Sequence, residues 1–135
     1  MTRPSSLLIA VAALFGFAAV LLGAFGAHGL TERVSPERLA IWQTAAHYLG
    51  WHATTLLAIA LLDAHFRGVW LRVAAWAMVV GSILFSGSLF VLVLTDTPAW
   101  GAVTPFGGVA LALGWASLAF AASLKLGVAR DGDAG

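Results

Sequence analysis

The sequence predicts an all-α fold, a bundle of four transmembrane helices with both termini cytoplasmic. Three observations carry this reading. Residues 7–26, 39–62, 69–94 and 102–126 are apolar runs of about 20 residues or more, the length a helix needs to cross a ~30 Å hydrocarbon core. The runs are too long and too unalternating for barrel strands, and in lipid only helices and closed barrels satisfy their own backbone groups. The composition agrees: 61% hydrophobic, 10% charged and a mean hydropathy of +0.94 are far from the balance of a water-soluble domain. At 135 residues the spans use nearly the whole chain, so 1–135 reads as a single integral membrane domain.

Each helix has its own punctuation. The first, about 6–27, follows Arg3 and resembles the start of a signal peptide, with Ala24-Phe25-Gly26 as a loose small-x-small site. Its apolar stretch exceeds a typical signal core, so it is expected to be retained as a membrane span. His28-Gly29 closes it, because glycine accepts a left-handed cap. Ser35 followed by Pro36 marks the start of the second helix, about 37–62. His65 and Arg67 sit in the second loop, and the third helix covers about 69–94. Pro98 punctuates the last loop, with Trp100 as an interfacial aromatic. Thr104-Pro105 opens the fourth helix, about 103–126, before a polar, glycine-rich tail.

Charge sets the orientation. Arg3, Arg67, Arg72, Lys125 and Arg130 fall on the side shared by the termini and the second loop, whereas only Arg33 and Arg38 fall opposite. Lysine and arginine accumulate on the cytoplasmic side, which makes both termini cytoplasmic in a multi-pass protein of the cell inner (plasma) membrane.

Lipid supplies no hydrophobic drive for helix association, so small residues must let the helices approach. Helix 1 offers Ala19, Gly23 and Ala27 flanked by Gly16 and Gly26. Helix 3 offers Ser82 and Ser86 with Gly81, Gly87 and Ser88. Helix 4 offers Gly108, Ala112 and Ala116 beside Gly107 and Gly114. Bulky residues at Gly23 or Gly108 are therefore expected to force helices apart. The Gly107-Gly108 pair at a helix start would admit a backbone or an anion. No arginine or lysine lies near to favour the anion.

Helix 2 is the polar exception. Gln43, His47, Gly50 and Thr54 form one stripe, and Tyr48, His52 and Thr55 a second about 140° away. So many hydrogen-bonding groups at membrane depth predict the most enclosed helix of the four. His28, Gln43, His47, Tyr48 and His52 form the candidate polar pocket. Gln43 and His47 are expected inside, His28 near the outer end, and His52 bonded to serine or threonine of helix 3 or of another subunit. Structural glue between helices is one reading of the histidines; a pocket or pathway for a ligand, proton or quinone is another.

Several chemistries find no support. His47 and His52 miss the i, i+4 spacing of a helical metal pair, and no helix offers a matching histidine for haem. Glu37, Asp63 and Asp96 lie at helix ends near opposite surfaces, and no nucleophile elbow, phosphate loop or nucleotide fingerprint occurs. With no cysteine, thiolate chemistry is excluded. No enzyme activity and no cofactor are expected. A net charge of +1 without a basic cluster argues against nucleic acid.

Four segments, LGAFGAHGL at 22–30, WQTAAHYLGWHA at 42–53, FSGSL at 85–89 and TPFGGVALALGW at 104–115, resemble the signatures of a family of small inner-membrane proteins of unknown function. Its bacterial members include YgdD and YwdK. The resemblance covers all four spans in order and implies a four-helix membrane protein with an uncleaved first span. It implies no activity. Leu49-Gly50-Trp51 departs from the longer side chains expected there. Two roles follow: a structural or accessory membrane component packing against itself or a larger membrane complex, and a ligand, proton or ion pathway lined by the polar pocket. The lipid bilayer is the one partner common to both.

Overall fold

The structure, a computed structural model, describes the backbone of residues 3–63 and 68–132 and the side chains of residues 6–63 and 68–125. His65, Arg67, the side chains of Arg3 and Arg130 and the end of the tail lie outside the described residues. Helix α1 (Arg3–Phe25) runs into a π-helical turn (Gly26–Leu30); α2 spans Pro36–Leu62, α3 Val69–Thr95 and α4 Thr104–Gly132, with a short 3₁₀ turn at Pro98–Ala102. Among the described residues there is no strand, and four helices are long and apolar enough to cross a membrane.

Local chemistry explains the ends. Ser35 is extended (φ −63°, ψ 157°) and its hydroxyl accepts the Arg38 N–H, with Pro36 preset for the first turn. Asp96 ends α3 in the left-handed region at φ 53°, and Thr97 N–H returns to the Leu92 carbonyl. The Val93 carbonyl, left without a helical donor, accepts from the Arg38 guanidinium, whose Nη1 also lies 3.3 Å from Asp96 Oδ1. One side chain thus fastens the start of α2 to the end of α3.

The helices pack in chain order, α1 on α2, α2 on α3 and α3 on α4. One apolar cluster joins Leu8, Leu56, Ile59, Leu71, Met78 and Leu111 at one end. At the other, Trp42, Leu30 and Val93 form a second, where the Trp42 ring meets Phe25 and Phe90 edge-on. Helix α2 is the most enclosed: 44% of its apolar 18-residue stretch is buried, against 39% for α3, 17% for α4 and 11% for α1. The outer helices expose large apolar side chains such as Leu14, Phe17, Val20, Phe106 and Val109, as a lipid solvent requires.

The seam between α3 and α4 is the tightest. Ser88 shares a 2.8 Å hydrogen bond with Thr104. A Cβ on Gly107 would fall on the Phe85 backbone, one on Gly81 would lie 2.8–2.9 Å from Leu111, and one on Gly114 would lie 2.7 Å from Met78 Cγ. Positions on α3 fall by three or four as those on α4 rise by the same, the signature of a regular antiparallel seam. The Gly107 opening admits a protein backbone. The ridge on α4 is thus Gly107-Leu111-Gly114 rather than Gly108-Ala112-Ala116: Gly108 makes only ordinary contact with the Phe85 ring, 3.8 Å away. Gly23 and Gly87 meet nothing within 4 Å, so neither serves an intrachain seam. Gly26 does, with the Trp42 indole 2.5–2.8 Å from where its Cβ would stand. Ser86 also packs as expected, its hydroxyl donating to the Ala45 carbonyl of α2 at 2.8 Å.

Candidate functional site

The polar groups of α2 divide between an interior and an exterior. Inside, His52 is 5% exposed. Its Nδ1 stands 2.8 Å from the Tyr48 carbonyl, and its Nε2 accepts from Trp115 Nε1 at 3.2 Å. A carbonyl only accepts and an indole N–H only donates, so the proton sits on Nδ1 and the ring is neutral. Half-buried Tyr48 stacks on Phe85 with centroids 4.5 Å apart. His52 was expected to meet serine or threonine on α3. It instead uses its own helix and α4, while on α3 Ser86 is bonded to Ala45 and Ser88 to Thr104. Ser82, 1% exposed, has no hydrogen-bond partner among the described residues.

Outside, Gln43 and His47 are exposed and have no hydrogen-bond partner among the described residues. Their expected enclosure does not occur within one chain. Ala45, Ala46, Leu49 and Ala53 take the buried face of α2, turning the 43-47-50-54 stripe away from it, with His47, Gly50 and Thr54 beside α1. The threonines there satisfy themselves: Thr44 donates to the Ala40 carbonyl at 3.0 Å and Thr54 to Trp51 at 2.7 Å. Among the described residues His47 stacks on Trp51, with ring centroids 6.4 Å apart. It lies about 16 Å along the helix from Pro36, near mid-membrane.

His47 and Thr54 are the polar members of a groove of about 550 Å³ between α1 and α2. Small residues floor it: Gly16 faces Ala53 and Gly50 faces Ala19, with Cβ positions 3.9 and 3.6 Å from those methyls. Phe17, Val20 and Trp51 rim it and are 61–71% exposed. His28 is apart from this group, exposed on the π-helical turn that follows α1. The five candidate residues therefore do not converge: Tyr48 and His52 point inward, Gln43 and His47 outward, and His28 stands alone. Among the described residues no cluster of histidine and carboxylate could hold a metal.

Two tryptophans escaped the sequence reading. Trp42 donates from Nε1 to the Leu22 carbonyl at 2.7 Å, one turn before α1 passes into its π turn. Thr31 caps the same turn, its hydroxyl donating to the Ala27 carbonyl at 2.7 Å. The other is Trp115, whose indole fixes the His52 tautomer. Glycines just ahead of a buried-helix tryptophan were the available signal for the first. Nothing local in the sequence pairs residues 63 apart for the second.

Comparison with known proteins agrees with the fold. Residues 22–108 match the family described as Protein of unknown function (DUF423). The membrane protein YwdK of Bacillus subtilis (strain 168) is 40% identical over 115 residues, 84% of this chain and 94% of that protein. The membrane protein SAB0533 of Staphylococcus aureus is also 40% identical over 115 residues, 85% and 93% of the two chains. The inner membrane protein YgdD of Escherichia coli (strain K12) is 36% identical over 112 residues, 83% and 86%. No solved structure matches. A family match over more than half the chain, relatives nearly equal in extent and four membrane-length apolar helices in this chain make it a four-helix membrane protein of the DUF423 family.

Proposed function

We propose that the chain is a non-catalytic structural or accessory membrane component that acts through helix packing, and that the α1–α2 face is its docking surface. One observation carries the reading: at membrane depth Gln43 and His47 stand exposed with no hydrogen-bond partner among the described residues, and His47 lines a groove floored with small residues. A hydrogen-bonding side chain facing hydrocarbon costs on the order of a few kcal/mol, and acyl chains offer it no partner. A protein surface offers one, and small residues let it come close. The alternative, a ligand, proton or ion pathway lined by helix α2 and His28, has less support, since both nitrogens of His52 are engaged and His47 faces the other way. We also propose cytoplasmic termini, from the bias of basic residues; alkaline phosphatase activity in a C-terminal fusion would overturn that.

The docking surface is tested by placing a photo-crosslinking amino acid at position 43 or 47 in native membranes. Protein adducts are expected at both positions and not at Val109 on α4. Adducts with lipid alone would overturn the proposal.

A further inference from the structure

We infer that the occupant of the α1–α2 face is the same face of a second copy of this chain, related by a two-fold axis along the membrane normal. The inference rests on the docking reading above and adds the identity of the partner. Three features make the face self-complementary, as an isologous interface requires.

The first is hydrogen bonding. An amide carries both donors and an acceptor, and a neutral imidazole carries one of each. Under a two-fold axis along the membrane normal, like residues lie at like depth. Gln43 then meets Gln43 of the second copy and His47 meets His47, each able to donate to the other. The second is shape. The face holds a hollow, floored by Gly16, Ala19, Gly50 and Ala53, and also exposed projections, Phe17, Val20 and Trp51, that can fill the hollow of a copy. The third is Gly23. Glycine inside a helix costs about 1 kcal/mol relative to alanine, yet among the described residues no atom of another helix lies within 4 Å of where its Cβ would stand. Gly23 continues the groove-lining positions Gly16, Ala19 and Val20 by one turn, so close approach by an outside helix accounts for its smallness. No charged side chain lines the groove, so nothing there selects a partner of opposite charge.

The chain contains no cysteine, which makes disulfide trapping clean. Full-length single-cysteine variants at Val20, Gln43 and His47, with Val109 and Leu113 on α4 as controls, are oxidised in native membranes with copper phenanthroline. A product of twice 14.0 kDa is expected from the α1–α2 positions at about tenfold the control yield. Adding Gly23→Leu to the Gln43→Cys variant should reduce that yield about tenfold while the chain still folds, because the space at Gly23 is empty within it. Equal yields from both faces, or an unchanged yield with Gly23→Leu, would overturn the inference. Photo-adducts with a different protein and no disulfide dimer would overturn the second copy and leave the docking surface standing. Lipid adducts with no dimer would remove both.

Discussion

Helices α3 and α4 and helices α1 and α2 are both antiparallel pairs rich in small residues, yet they use them oppositely. Between α3 and α4 the glycines are spent inward: Gly107 lies on the Phe85 backbone, Gly81 on Leu111 and Gly114 on Met78. Between α1 and α2, Gly16 and Gly50 touch one methyl each, Gly23 touches nothing, and an open groove remains. The polar groups divide the same way. Ser88 and Thr104 bond each other across the first seam, whereas Gln43 and His47 beside the second have no partner among the described residues. Small residues in a membrane helix therefore mark close approach without saying from which side it comes. A closed seam is a core, and an open one is a surface.

Substitutions separate the two. The largest effect is expected at Gly107→Leu, where a side chain would meet main chain that cannot move aside. A loss of about 3 kcal/mol or more, read as a drop of roughly 10 °C or more in detergent melting, is the expected outcome. Gly23→Leu should melt within about 2 °C of the parent, since no neighbour is displaced. Equal destabilisation by both would erase the distinction between the seams.

The histidines sharpen it next. His52→Ala removes a buried ring and orphans the Trp115 indole, at a cost of about 2 kcal/mol in thermal or denaturant unfolding. His47→Ala should leave unfolding unchanged and act only on crosslinking at the α1–α2 face. A reversal of that order would place the core and the surface the other way round. Trp42→Phe keeps most of the apolar packing but removes the indole hydrogen bond to the Leu22 carbonyl, a loss of about 1 kcal/mol in the same assay. The smallest effect belongs to Asp96→Asn. Asparagine tolerates the left-handed backbone, so only the exposed ion pair with Arg38 is lost, and less than about 0.5 kcal/mol should follow, vanishing in high salt.

Much of this architecture was legible in the residues. Run length exposed the spans, Ser35-Pro36 the start of α2, and the density of polar side chains the enclosure of that helix. What escaped is rotation. One residue of error along a helix turns a side chain by about 100°, so Gly107 and its neighbour Gly108 read alike in the sequence while one is jammed against a backbone and the other is not. The same ambiguity hid the outward turn of Gln43 and His47, whose polarity suggested an interior that a single chain does not provide. Trp115 escaped for a different reason: its role depends on which helices become neighbours, and only tertiary packing decides that.

The regular seam of α3 and α4 also bears on the order of events during synthesis. Its contact nearest the turn, Ser88 with Thr104, closes over a separation of only 16 residues, and each further contact extends the last by one helical turn on either side. Short loops close at small entropic cost, so this hairpin can zip from its turn outward as α4 emerges from the ribosome. The α1–α2 groove has no such schedule. If the proposed second copy fills it, its completion depends on how many copies share the membrane, and the face bearing His47 becomes the part of the molecule governed by concentration.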